Sequence, residues 1–283
     1  MARPDIEPIT ADSLGEFAEF LHQQLNPALS VDGWQRALSH HWSEEPRPNF
    51  GFLLRDQGRI VGGIAALYSS RSIGGQTRKI CNITSWCVLE AYRKQSMRLA
   101  MALTEQPGWD FTDFSPTEVV GGVLRFLKFT PLDERQTVLL PLPWLLARGR
   151  VIAKPGEIEQ ALQGEALRNY LDHKDYPWLQ HALVGSGSSW CHLIYKRDRF
   201  KGLPAARVIH VGAPEVLARH WRRMSLFMLM SGFASVHAET RRAPADMWPT
   251  RIRSGFNAKV FRSTELRPED VDYLYSETVA MDL

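Results

Sequence analysis

The sequence predicts a mixed α/β (α+β) chain of two similar halves, each a mixed, mostly antiparallel central sheet flanked by helices. Three observations carry that expectation. Apolar and polar residues alternate at the two-residue period of strands in several runs, and between those runs apolar residues recur at helical spacing. A hairpin followed by a helix and further strands occurs before residue 150 and again after it. With 283 residues, 44% of them hydrophobic, the chain is long enough for two medium cores. The division is expected in the proline-containing stretch around residues 140–156, giving domains 1–148 and 149–283.

In chain order, residues 6–9 read as a short strand and Thr10 to Asp12 as a helix start, with Leu14, Phe17, Phe20, Leu21 and Leu25 on one apolar face. A second short helix carries Trp34 and Leu38. Residues 50–55 and 60–68, joined by Asp56-Gln57-Gly58-Arg59, form a hairpin. The central element follows at residues 80–89. Its β-branched and aromatic side chains predict a strand with Thr84, Trp86 and Val88 on one face and Ile83, Ser85 and Cys87 on the other. Tyr92 to Ser96 breaks the apolar run, and Met97, Ala100, Met101 and Leu103 restart it with helical spacing. The basic turn therefore lies at a helix N-terminus, where unpaired N–H groups, a partial positive charge, Arg93 and Lys94 together suit a phosphate or pyrophosphate.

Residues 109–114 alternate as a strand, and the cap Ser115-Pro116-Thr117-Glu118 opens a helix over 119–127. In the second half, residues 157–173 and 177–184 read as helices, 190–196 and 206–211 as a hairpin, 213–230 as a helix and 234–240 as a strand. Residues 256–262 and 273–279 read as a closing strand pair.

Composition excludes some function classes. A net charge of +3 from 34 basic and 31 acidic residues gives no general reason to invoke nucleic acid. No apolar run approaches bilayer length and the N-terminus has no leader-like core, so no membrane partner is expected. Cys81 and Cys87 would lie roughly 20 Å apart on one strand, too far to bridge, and with Cys191 they make an odd set. Reduced thiols and a cytoplasmic location follow most simply. Neither His40-His41, whose side chains diverge on a helix, nor Cys191-His192, which would face opposite sides of a strand, forms a ligand or catalytic pair. No metal site is expected.

Residues 88–100, VLEAYRKQSMRLA, resemble the acyl-CoA signature of the GNAT N-acyltransferase superfamily, in which a strand ending in Val is followed by Arg/Gln-x-x-Gly-x-Gly/Ala. Arg93 holds the first position of that turn, whereas Ser96 and Arg98 stand where small residues, mostly glycine, are usual. The element order from residue 4 to about 142 is also similar to that family. Residues 115–129 resemble its stretch ending Tyr-Glu-Lys-Leu-Gly-Phe; Phe129 matches, Lys128 replaces the glycine, and Leu124 stands where many members carry a tyrosine acid. The second half is similar to a further GNAT domain without the motif at residues 211–214, so the resemblance is to a tandem arrangement with a degenerate cofactor turn.

The resemblance implies transfer of an acyl group, from acetyl-CoA or another acyl-CoA as co-substrate, to an amine of a small-molecule or peptide acceptor by direct attack. It implies cofactor contacts from Trp86, Cys87, Val88, Arg93, Lys94, Gln95, Ser96, Met97 and Arg98, with backbone N–H groups of residues 87–89 polarising the thioester. Base candidates near such a site are Asp110, Asp113 and Glu90, and Tyr68 could replace the missing tyrosine acid. Two alternatives stay open: an inactive GNAT-fold binding protein, and a Fem-like transferase using aminoacyl-tRNA through Arg222, Arg223, Arg241, Arg242, Arg251 and Arg253. A homodimer is also left open, and neither the acceptor nor the acyl length is fixed by these residues.

Overall fold

The computed structural model describes residues 3–282. The first half runs β1 (Asp5–Pro8), α1 (Leu14–Gln24), α2 (Val31–Ser39), β2 (His41–Trp42), β3 (Gly51–Asp56), β4 (Arg59–Ile73) and β5 (Gln76–Val88). A 3-10 helix (Glu90–Gln95) leads into α3 (Ser96–Thr104), then β6 (Asp110–Asp113), α4 (Glu118–Phe126), β7 (Thr130–Pro131) and β8 (Gln136–Leu139). The second half runs β9 (Arg150–Ile152), α5 (Pro155–Ala161), α6 (Gly164–His173), β10 (Leu179–Ser186), β11 (Ser189–Phe200) and β12 (Leu203–Val211). It continues with α7 (Pro214–Met230), β13 (Ser235–Glu239), β14 (Thr250–Arg253), β15 (Val260–Arg262), a short 3-10 turn (Pro268–Asp270) and α8 (Glu277–Ala280).

These strands form two mostly antiparallel sheets flanked by helices, as expected. The first has the order β1-β3-β4-β5-β6-β15-β7, with β2 pairing β4 to one side; the second has the order β14-β8-β13-β12-β11-β10-β9. Local chemistry accounts for the helix starts. Ser30 Oγ accepts from the Gly33 N–H at 3.1 Å and Thr117 Oγ1 from the Val120 N–H at 3.3 Å, each satisfying a first-turn donor. One face of the first sheet packs on Phe17, Leu21 and Leu38 of α1 and α2 and on the chain's last turn, and the other on Leu99, Leu103 and Leu124 of α3 and α4. In the second sheet, Leu217, Trp221, Met224 and Met228 of α7 are buried as core.

The two sheets exchange a strand. β15, from the second half, pairs with β6 and β7 of the first sheet. In return β8, from the first half, lies between β13 and β14 of the second. Each sheet is thus completed by chain from beyond residue 148 in one case and before it in the other.

Four element expectations are corrected. Residues 177–184 do not form a helix; β10 occupies them, because Ala182, Leu183 and Val184 are buried on both faces between β9 and β11, which removes the alternation that marks a strand. The helix expected over 157–173 is broken into α5 and α6 at Gly164, whose φ of 56° no helix interior allows. Residues 273–279 are not a strand; they form a buried tail ending in α8. The alternation expected along β5 holds only to Ile83: after Ser85 the phase flips, so Ile83, Trp86 and Val88 pack toward α3 and Cys87 toward the opposite face.

A glycine at the start of β3 is required by geometry. Gly51 has a φ of 118°, and a Cβ there would lie 2.0 Å from the Ile64 carbonyl oxygen of the central strand β4. Gly58, in the hairpin turn, has a φ of 79° and nothing within 4 Å. Gly51→Ala is expected to lower the thermal midpoint well beyond Gly58→Ala, since both carry left-handed strain of roughly 1–3 kcal/mol and Gly51→Ala adds a backbone clash. Equal midpoint losses in parallel calorimetric scans would contradict this.

Candidate active site

The parallel pair β5 and β6 is joined only at Ile80–Asp110, Cys81–Phe111 and Asn82–Thr112. Beyond Asn82, β5 runs on through Val88 with no partner on that side, so the sheet opens into a fork. A bulge sits on the long arm of the fork. Opposite β4 the register slips between Gly63–Cys87 and Ala65–Thr84, and Ser85 takes a φ of 50° to absorb the extra residue. The Leu89 N–H bonds the Val61 carbonyl at 2.9 Å. Antiparallel alternation then turns the Val88 N–H away from β4, toward the open side.

The basic turn differs from the expected helix N-terminus. Residues 90–95 form a 3-10 helix continuous with α3, and the Ser96 N–H donates to the Arg93 carbonyl. Ser96 and Arg98, where glycines would open the turn, instead continue the helix. The Ser96 N–H is therefore taken up inside the turn. The cationic side chains do face outward: Arg93 is 69% exposed and pairs at 2.7 Å with the equally exposed Glu90. Lys94 is exposed beside it, Gln95 and Ser96 are half-buried and Met97 is exposed. Arg98 turns back to donate to the Pro4 carbonyl and to Gln95 Oε1. The Tyr92 hydroxyl, bonded to Asp56 Oδ2 at 2.5 Å, ties the turn to the β3–β4 hairpin. Trp86, Cys87 and Val88 are half-buried along the fork.

The four acid and base candidates are scattered. Tyr68 is wholly buried; its hydroxyl donates to Asn49 Oδ1 at 2.8 Å and accepts from Gln106 Nε2 at 3.0 Å, and burial pushes its pKa up. It sits opposite Cys81, on the closed side of the fork, which removes it as an acid. Glu90 lies on the surface of the 3-10 helix, engaged with Arg93, which removes it as a base at the fork. Asp110 starts β6 on the closed side. Asp113, just past the last β5–β6 pair, lies at the apex where the fork opens, 4% exposed.

Sequence reasoning missed its partner. Glu277, on the tail of the chain, reaches into the fork: its N–H donates to Asn82 Oδ1 at 2.9 Å, and its Oε1 accepts from the Phe114 N–H at 3.1 Å and the Ser115 hydroxyl at 3.0 Å. Asn82 Nδ2 donates across the fork to Thr112 Oγ1 at 3.2 Å. Both carboxyl groups are pushed up by burial, Asp113 further by the proximity of Glu277. Two interacting buried carboxyl groups titrate as a pair, with a raised affinity for protons. The signal was poor, because residues 273–279 read as a closing strand, in which Glu277 is one polar residue among others.

A cavity of about 340 Å³ opens between the sheets beside this pair, lined by Phe114, Ser115, Arg207, His237, Tyr273 and Glu277 among others. Most second-half arginines proposed for RNA are used inside the protein. Arg241 pairs with Glu239 and bonds the Pro268 and Val271 carbonyls, Arg242 bonds the Val211 and Glu269 carbonyls, Arg223 bonds the Gly149 carbonyl, and Arg222 lies over Trp144. Among the described residues no helix is long and apolar enough to cross a membrane.

No protein-family model and no curated protein sequence matches the chain. Solved structures do. A GCN5-related N-acetyltransferase from Anabaena variabilis is 13% identical with a TM-score of 0.62, the match covering 92% of this chain and 72% of that one. A GCN5-related N-acetyltransferase from Kribbella flavida is 13% identical with a TM-score of 0.58, covering 91% and 70%. Eis1 from Mycobacterium abscessus is 11% identical with a TM-score of 0.53, covering 92% and 74%. At these identities the likeness is one of fold. The chain has the GNAT fold that the element order and residues 88–100 led us to expect.

Proposed function

We propose that the chain is an N-acyltransferase that holds an acyl thioester in the fork between β5 and β6 and passes the acyl group to an amine entering from the cavity between the sheets. The observation that carries this reading is the fork itself, bulged at Ser85, with the Val88 N–H turned to its open side and a buried carboxyl pair at its apex. Acyl-CoA is the donor that fits the surroundings, with Arg93 and Lys94 as the cations for its pyrophosphate. Their contact would be by side chain, since the Ser96 N–H is taken up inside the turn.

In the reaction an ammonium group first gives a proton to the Asp113–Glu277 pair. The neutral amine attacks the thioester carbonyl, whose developing oxyanion is stabilised by the Val88 N–H, an effect worth roughly 3–4 kcal/mol for one such donor. The C–N bond forms and the C–S bond breaks. The thiolate leaves as a stable anion, a free thiol having a pKa of about 8.5, so the transfer does not need the tyrosine that Leu124 replaces. It takes up the second amine proton, and the first returns to solvent from the carboxyl pair.

Calorimetric titration with acetyl-CoA and octanoyl-CoA tests the donor. Saturable binding is expected for at least one, weakened tenfold or more by the double substitution Arg93→Glu, Lys94→Glu. Absence of binding by either thioester would remove acyl-CoA as the donor. The helical closure of the turn at Ser96 and Arg98 favours one rival, a GNAT-fold binding protein without catalysis. That rival predicts that Arg93→Ala leaves thioester affinity unchanged.

A further inference from the structure

The cavity between the sheets holds charge in an arrangement the fold does not need. Glu277 is 2% exposed and lines it, with Oε1 held by the Phe114 N–H and the Ser115 hydroxyl while Oε2 has no hydrogen-bond partner. A buried carboxyl oxygen left without a donor is costly unless a ligand supplies one. Arg207, on β12, lines the same cavity. Its guanidinium lies over the Tyr273 ring at 5.6 Å, and among the described residues no acidic side chain pairs with it. The neighbouring cation, Lys259, is by contrast neutralised by Glu239 at 2.9 Å, and the His237 ring bonds Ser235 Oγ at 2.9 Å.

We propose that this cavity binds a small molecule carrying an amine and a carboxylate at opposite ends, the amine donating to Oε2 of Glu277 and the carboxylate resting on Arg207. This names the acceptor class for the acyl transfer proposed above, and rests on that reading. An arginine presents a planar fork that matches a carboxylate with two parallel hydrogen bonds. Asp198 and Glu277 also line the space, so a monoanion is accommodated better than a phosphate dianion. At the other end an ammonium group supplies the donor that Oε2 lacks, and the raised affinity of the Asp113–Glu277 pair for protons lets it accept one. Phe114, Phe200 and Tyr273 supply apolar wall for the methylenes between.

The test uses the full chain without thioester and four probes: 4-aminobutanoate, 6-aminohexanoate, butylamine and hexylamine, titrated by saturation-transfer NMR and calorimetry. At least one amino-carboxylate is expected to bind saturably and at least tenfold more tightly than the alkylamine of equal chain length. Arg207→Gln should erase that difference and Arg207→Lys should keep part of it. Glu277→Gln should weaken both probe classes. Near-ultraviolet circular dichroism checks that each variant is folded. Equal affinities for the two classes, or no saturable binding of any probe, would overturn the proposal, and if acetyl-CoA still binds the acyl-transfer reading survives that loss. Binding of an amino-carboxylate by a chain that binds no thioester would keep the pocket and refute its role as an acceptor site.

Discussion

Asp272→Ala is expected to lower stability by roughly 3–5 kcal/mol, the range for stripping one partner from a buried ion pair. Asp272 is 4% exposed and joins both sheets. Its Oδ1 accepts from Arg71 Nη1 of β4 at 2.6 Å and from the Leu274 N–H at 3.1 Å; its Oδ2 accepts from Arg71 Nη2 at 3.2 Å and pairs with His210 Nδ1 of β12 at 2.8 Å. Burial alone would raise its pKa, but Arg71 and His210 outweigh burial and hold the carboxyl well below its usual range. With Asp272 gone, Arg71 is left charged, buried and unpaired. A domain's whole stability is about 5–15 kcal/mol, so the loss takes a large share of it, read as a lower urea midpoint at pH 7. The paired replacement Arg71→Met, Asp272→Leu should recover most of the loss, because it removes both charges. A midpoint unchanged by Asp272→Ala would mean that water already solvates Arg71.

Acid is expected to unfold the chain well above the range in which carboxylates titrate. Buried His173 and His192 form a row with half-buried His181 between them: His181 Nδ1 lies 3.1 Å from His192 Nε2, His181 Nε2 lies 3.3 Å from the His173 carbonyl, and His173 takes the Tyr275 N–H on Nε2 while its Nδ1 faces the Asn169 carbonyl. His173 and His181 are each satisfied as a neutral tautomer, while His192 bonds only through Nε2 and its buried Nδ1 has no partner among the described residues. Burial lowers their pKa values, to about 3 for His173, to about 4 for His181 and well below the usual value for His192. Above pH 6.5 neither folded nor unfolded chain protonates them, and they contribute nothing to pH dependence. Below it the unfolded chain takes protons that the folded one refuses, so stability falls until the folded values are reached. At pH 5 the penalty is roughly 2 kcal/mol for each of His173 and His181. His181→Gln, which keeps a donor and an acceptor without a titrating proton, should match the parent at pH 7.5 and recover about that much at pH 5. A parent stability flat between pH 7 and 5 would show that the row is hydrated.

Much of the fold around the candidate site was legible in one dimension because the signals are local. The hairpin of β3 and β4, the cap over residues 115–118, and the strand and helix that flank the basic turn depend on neighbours within a turn or a strand width, and they form where their spacing indicates, although the turn itself closes as a 3-10 helix. Even the substitution at Lys128 is consistent: its φ of 65° is the left-handed value a glycine would take there. The bulge at Ser85 was not legible, since alternation records side-chain polarity and not the backbone angle that resets it.

The sequence by itself determined the two-sheet α/β plan, the strand that forms the fork and the cations beside it, because periodicity and capping act over a few residues. Only the tertiary structure decided which carboxylates meet. Glu277 finds Asn82 across 195 positions, and no local pattern encodes a contact at that separation. The same holds for the exchange of β8 and β15, short strands that each lie inside the sheet of the other half. Their placement is set by the global match of two sheets that each lack one strand.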